Sequence, residues 1–176
     1  VLENRDRAAH WQSRVENLAR QVNERLWSEH AGFYFDRTIS RRWVNCWTAA
    51  SFWPLLAGIC DEHKKNALVG HLLDARKFNR PNPVPTLAAD DPNYSRRGRY
   101  WIGGVWAPTN YMITRGLMSA GRGHVAHGIA LKYVKALSRT FGDFDPHTLW
   151  ECQSPEEDRP GITAYRDDWV RQEFVG

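Results

Sequence analysis

Helical segments of two kinds alternate along this 176-residue chain, and the connections between them are unequal in length. The spans 6–26, 61–73 and 123–141 are amphipathic. In the first, Trp11, Val15, Leu18, Val22 and Leu26 recur at the helical period, and polar residues fill the other faces. In the second, Asp61 suits the N-cap, and Ala67, Leu68, His71 and Leu72 face inward. In the third, the stripe is Ala126, Ile129, Ala130, Tyr133, Val134, Leu137 and Phe141, and Gly142 is the expected stop. The spans 46–59 (CWTAASFWPLLAGI) and 106–120 are apolar nearly all round, as buried helices are. Pro54 is expected to bend the first, and Pro108 to sit in the opening turn of the second. Long connections (27–45, 74–104 and 143–167, with a further turn near 169–174) follow the amphipathic segments; a few residues follow the apolar ones. Outer and inner helices joined in this way place every long loop at one end, facing the positive ends of the inner helix dipoles. Loops beyond about 12–15 residues in a compact domain are usually functional. The expectation is one all-α domain over 1–176, with its site among the long loops; GFYFDRT in the first loop reads as a short hairpin or extended arm.

Charge and cysteine content narrow the function. The net charge of +4 is concentrated at Arg41-Arg42 and Arg96-Arg97-Arg99, short clusters framed by no nucleic-acid recognition motif, so no nucleic-acid partner is expected. No apolar run approaches about 18 residues, so no membrane partner is expected. The N-terminal VLENRDRAAH does not read as a signal peptide. Cys46, Cys60 and Cys152 are odd in number and lack C-x-x-C spacing, which argues against a disulfide framework or a zinc site and fits a reducing, cytoplasmic compartment. His124 and His127 lie three apart but lack a third ligand, so neither metal nor cofactor is expected. Nothing orients His147 toward Cys152 as a nucleophilic pair would need, and no serine sits in an elbow motif.

The stretch 100–106 puts Tyr100, Trp101 and Trp106 around Gly103-Gly104. Two readings stay open. The rings plug a core, or they form a platform for the apolar C–H faces of a sugar, with Asn110 and Tyr111 offering hydrogen bonds. Among the acidic residues, Asp90-Asp91 ahead of Pro92 read as turn caps. Glu151 and Glu156 lie on the third long loop, and the Pro-Glu-Glu-Asp setting of Glu156 reads as plain surface.

FWPLLAG (52–58), FNRPNPVPTLAADDPNY (78–94), YWIGGVWAPTNYM (100–112) and TLWECQSPEE (148–157) together resemble the catalytic domain of glycoside hydrolase family 63 and its relatives, which include processing α-glucosidases, mannosylglycerate hydrolases and, more distantly, trehalases. The resemblance implies an (α/α)6 barrel with its active site at the inner-helix N-terminal end. It also implies inverting hydrolysis of an α-glycosidic bond of a carbohydrate substrate. Inversion needs two carboxyl groups about 6.5–9.5 Å apart, one protonating the leaving oxygen and one activating water. On this resemblance Glu151 matches the general base, and Tyr100, Trp101, Trp106, Asn110 and Tyr111 match the sugar site. Two positions depart from the family pattern. Cys152 and Gln153 stand where an Asn-Tyr pair is usual, and Ile102 stands where many relatives carry Arg. The general acid of such enzymes is an aspartate from the earlier half of the barrel, in a segment that this sequence lacks. The chain is thus expected to be the C-terminal part of a barrel, carrying the base and inactive alone. The competing class is a non-catalytic carbohydrate- or protein-binding helical module.

Overall fold

In the computed structural model, residues 5–162 are described, so the turn expected near 169–174 lies outside the described residues. The described backbone gathers into two compact units that divide between Asn45 and Cys46. In the first, α1 (Arg5–Leu26) leads straight into β1 (Trp27–Ser28), which pairs antiparallel with β2 (Phe33–Tyr34), Trp27 opposite Tyr34. This is the short hairpin expected at GFYF. Trp27, Phe33, Tyr34 and Phe35 are buried there, and the Tyr34 hydroxyl donates to Asn23 Oδ1 at 2.6 Å. Trp11, Val15 and Leu18 of α1 are exposed, a half-covered stripe as the sequence suggests. Beyond β2 the chain folds back on itself, and the Arg37 guanidinium lies 3.6 Å above the Trp43 ring.

The second unit holds the remaining helices. The apolar span 46–59 is not one helix. Residues 47–48 run extended beside the second long loop, with Ala88 N–H donating to Trp47 O and Ala49 N–H to Thr86 O. Only a 3₁₀ turn (Ala49–Phe52) and the one-turn α2 (Trp53–Leu56) follow. Pro54 explains this: lacking an N–H, it opens α2 instead of bending a longer helix. Nor is the span buried all round, since Trp53 and Leu56 are exposed. α3 (Glu62–Leu73) starts as expected, with Asp61 accepting from Lys64 N–H at 2.9 Å. β3 (Val105–Trp106) opens directly into α4 (Ala107–Ser119), with Pro108 in its first turn. α5 (Gly123–Asp143) runs past Gly142, and its buried face is turned from the expected stripe. Val125, Ala126, Ile129, Ala136 and Thr140 are inside, while Val134 and Phe141 are exposed. A last short strand, β4 (Cys152–Gln153), pairs antiparallel with β3, Val105 opposite Gln153 and Trp106 opposite Cys152.

The core of this unit joins Phe52, Leu55, Leu68, Leu72, Phe78, Val84, Ile113 and Leu117. The second long loop contributes a buried run, 82–88, instead of passing over the surface. A buried loop must pair its backbone groups, and this one does. Thr86 N–H donates to Gly104 O, and Val84 N–H to Asn110 Oδ1 at 2.9 Å. Of the three long loops expected together, 74–104 and the described part of 143–167 pack on each other through Asn82 N–H to Pro155 O and Tyr100 N–H to Ile162 O. The loop 27–45 belongs to the other unit.

α2 and α4 approach closely because Gly116 has no side chain. A Cβ there would stand 2.8 Å from the Leu56 nitrogen and 3.1 Å from Leu55 Cβ. In α3, a Cβ on Gly70 would meet nothing within 4 Å. Gly116→Ala is therefore expected to lower stability by about 1–3 kcal/mol through overpacking. Gly70→Ala is expected to raise it by roughly 0.5–1 kcal/mol through helix propensity. Urea unfolding of both variants checks the opposite signs.

Candidate active site

The ladder between β3 and β4 joins the two halves of the candidate site. Trp106 ends β3 and is the N-cap of α4, and it lies opposite Cys152. Paired residues in such a ladder have Cα atoms about 4.5–5.5 Å apart. Glu151 immediately precedes Cys152, so it stands at the end of the ladder where Trp106 gives way to α4. Residues 151 and 106, 45 apart in sequence, are thus neighbours because two short strands pair.

The aromatic knot is built on one carbonyl. Tyr100 O accepts from Gly104 N–H at 2.9 Å and from the Trp106 indole N–H at 3.2 Å. Tyr100 takes a φ of 45°, which a ring-bearing residue seldom adopts. Gly103 (φ 129°) and Gly104 supply the space, since a Cβ on Gly103 would stand 2.7 Å from Ser95 O and one on Gly104 would strike Tyr100 O. The rings then divide their roles. Trp101 stacks on Trp106 with centroids 4.6 Å apart and planes 11° apart, and Tyr100 meets Trp106 edge-on at 4.9 Å. Trp106 is buried, packed with Cys152 and Tyr100, while Trp101 remains 56% exposed. The structure thus divides the knot: Trp106 lies in the core, and Trp101 keeps an exposed ring.

Asn110 is buried and its amide is fully engaged. Oδ1 accepts from Val84 N–H, and Nδ2 donates to Trp106 O (3.0 Å) and Val84 O (3.4 Å). It holds the buried loop to the start of α4. Tyr111 is exposed and lines a groove of about 280 Å³ between α4 and α5, together with Ala107, Asn110, Thr114, Tyr133 and Val134. Burial pushes the Tyr133 hydroxyl up to about 12.

The acidic residues separate by what holds them. Asp90 pairs with Lys77 at 2.8 Å, and Asp91 accepts from Asn93 N–H at 2.8 Å, the turn cap expected of it. Glu157 pairs with Arg159, and Asp158 with Arg139. Glu156 is no surface residue. Its side chain is only 6% exposed and meets Arg80 through two bonds (Nε to Oε1, 2.7 Å; Nη2 to Oε2, 2.8 Å), while the Tyr94 hydroxyl donates at 2.8 Å. Burial alone would raise this carboxyl, but the bonds from Arg80 and Tyr94 outweigh it and the net shift is downward. Burial beside this carboxylate drives the Tyr94 hydroxyl upward. The sequence hid this pair because Arg80 and Glu156 are 76 residues apart.

Glu151 is the exception. Among the described residues no hydrogen bond or ion pair reaches its carboxylate, and partial burial raises its pKa. The neighbouring Cys152 thiol is pushed up to about 12, by burial and then by the Glu151 charge. The Trp150 indole N–H is buried with no partner among the described residues. A half-exposed, unpaired carboxylate with a raised pKa is what a general base needs. No cluster of three or more metal-binding side chains exists among the described residues, and no described helix is long and apolar enough to cross a membrane.

The chain is similar over most of its length to known glycoside hydrolases. Residues 1–165 match the sequence profile of the mannosylglycerate hydrolase MGH1-like glycoside hydrolase domain, and the chain belongs to that family. An uncharacterized protein of Borreliella burgdorferi is 27% identical, the match covering 95% of this chain and 35% of that protein. The cytosolic neutral trehalase of Neurospora crassa is 29% identical over 96% of this chain and 25% of its own length. Among solved structures, the family 63 mannosylglycerate hydrolase of Thermus thermophilus in complex with glucose superposes with a TM-score of 0.67 at 24% identity, over 81% of this chain and 34% of that one, a likeness of fold. The chain spans about a quarter to a third of the length of these relatives.

The folded-state pKa of Glu156 lies below its unfolded value, so its contribution to stability is present above the ordinary carboxylate range, near pH 4, and is lost as pH falls through the folded value. Wild-type protein is expected to lose stability between about pH 5 and pH 3 more steeply than Glu156→Gln. Arg80→Met, which strands the buried carboxylate, is expected to cost about 3–5 kcal/mol at pH 7. Urea midpoints across pH check both.

Proposed function

We propose that this chain is the C-terminal part of an (α/α)6-barrel glycoside hydrolase that cleaves an α-glycosidic bond with inversion, Glu151 serving as general base. One observation carries the reading. Of the carboxylates in 150–162, Glu151 has no partner among the described residues, while Glu156, Glu157 and Asp158 are each held by an arginine. A base has to give its lone pair to water, and an ion-paired carboxylate has already committed it. The exposed ring of Trp101, backed by Trp106 and Tyr100, supplies a stacking surface for a sugar. Tyr111 supplies a hydroxyl at the adjoining groove, with Asn110 fixing the loop behind.

The substrate class follows from the relatives: a mannosylglycerate, trehalose or another small α-glycoside, in a protein acting in the cytoplasm. The proton donor to the leaving oxygen comes from the half of the barrel that these residues do not contain, so the chain by itself turns over nothing. A sugar-binding module without catalysis is the second reading, favoured by the ring platform alone.

The test compares the 176-residue chain with a version extended through the upstream barrel half, on mannosylglycerate, trehalose and α-glucosides. The extended protein is expected to hydrolyse one of them. Glu151→Gln is expected to lower kcat about 10²–10⁴-fold, the usual worth of acid–base catalysis. Because the base works only when ionised, activity is expected to fall as pH drops through a value above the ordinary glutamate range. Full activity in Glu151→Gln, or hydrolysis by the short chain alone, contradicts the proposal.

A further inference from the structure

We propose that Glu156 is a positioning residue for Glu151, acting with Arg80 and Tyr94 as a clamp on the hairpin that carries the base. This rests on the reading of Glu151 as the base. The segment 152–161 folds back on itself. Gly161 N–H donates to Cys152 O and Ser154 N–H to Arg159 O, both at 2.9 Å, with Gln153 opposite Pro160. Pro160 has no N–H, so that rung is short of a donor. A two-stranded hairpin of this size is marginal in water, and its edges gain only short pairings, the two-residue ladder to β3 and the bridge of Ile162 to Arg99. Something else must fix it.

The fixing lies at the tip. Glu156 takes both arms of the Arg80 fork and the Tyr94 hydroxyl, and Asn82 adds bonds from its amide to Ser154 O (2.9 Å) and Glu157 O (2.8 Å). Ser154 Oγ donates to Arg96 O at 3.0 Å. All of these partners come from the loop 74–104, whose far end is the knot of Tyr100, Trp101 and Trp106. The clamp therefore sets the hairpin against the loop that carries the rings, and Glu151 at the hairpin's base takes its place relative to Trp101 from that register. A planar guanidinium that meets both carboxylate oxygens fixes direction as well as distance, which an ammonium does not.

The experiment uses the whole 176-residue chain and needs no turnover. Protein labelled with ¹³C at glutamate carboxyls is titrated by NMR, the Glu151 signal being assigned by its loss in Glu151→Gln. Amide exchange is followed at Cys152 and Gly161. The variants are Arg80→Lys, which keeps the charge and loses the fork, and Tyr94→Phe, which removes one bond and no charge. Leu68→Ala, in the fully buried part of α3, is the control for loss of stability alone. Arg80→Lys is expected to move the Glu151 midpoint by about half a pH unit and to speed exchange at Cys152 and Gly161 about tenfold. Tyr94→Phe is expected to do the same to a lesser degree, and Leu68→Ala neither. The proposal is overturned if Glu151 titrates and Cys152 exchanges as in wild type in both clamp variants, or if Leu68→Ala moves them equally. Failure of the base assignment shows separately, as undiminished hydrolysis in Glu151→Gln of the extended protein.

Discussion

A carboxylate withdrawn from water costs several kcal/mol unless its partners replace the lost hydration. Glu156 meets that cost with a two-pronged guanidinium and a tyrosine hydroxyl, and the arrangement of the site follows from it. Arg80, Tyr94 and Glu156 come from two loops far apart in sequence, which also meet through Asn82, Ser154 and the pairing of Tyr100 with Ile162. Once joined, they hold the 152–161 hairpin beside β3, and β3 runs without a break into α4. The Glu151 carboxylate, the stacked rings and the start of α4 are gathered where the joined loops meet the two-residue ladder.

The two glutamates show how environment divides the same chemistry. Five residues apart, one is ion-paired with its pKa pressed down, and the other has no partner among the described residues and a pKa raised by burial. The first is held as structure, and the second is the one proposed to accept a proton. The family departures at Cys152 and Gln153 fall inside the paired strand. Cys152 packs against Trp106, and Gln153 is buried with its side-chain Oε1 unpartnered among the described residues.

Periodicity made the helices legible where one face repeats against solvent, as in α1 and α3, and where proline opens and glycine closes a segment, as in α4. It failed at 46–59 because apolar residues suit a buried extended strand and a buried helix alike, and Pro54 decided between them. It misjudged the face of α5 because Thr140 and Ala136 go inside while Val134 and Phe141 stay out, a choice made by packing and not by residue type. The knot was visible as a cluster of rings, but its division into a buried Trp106 and an open Trp101 depends on their stacking. The Arg80–Glu156 pair left no trace in the sequence, since a contact across 76 residues has no local signature.

The central claim is that Glu151 activates water on the sugar face opposite the leaving group. Proton NMR of the anomeric signal during hydrolysis of an α-glycoside by the extended protein tests it most directly. Inversion predicts that the released sugar appears first as the β-anomer and then mutarotates. Release of the α-anomer first would mean that a carboxylate attacks the sugar itself, and would contradict the account.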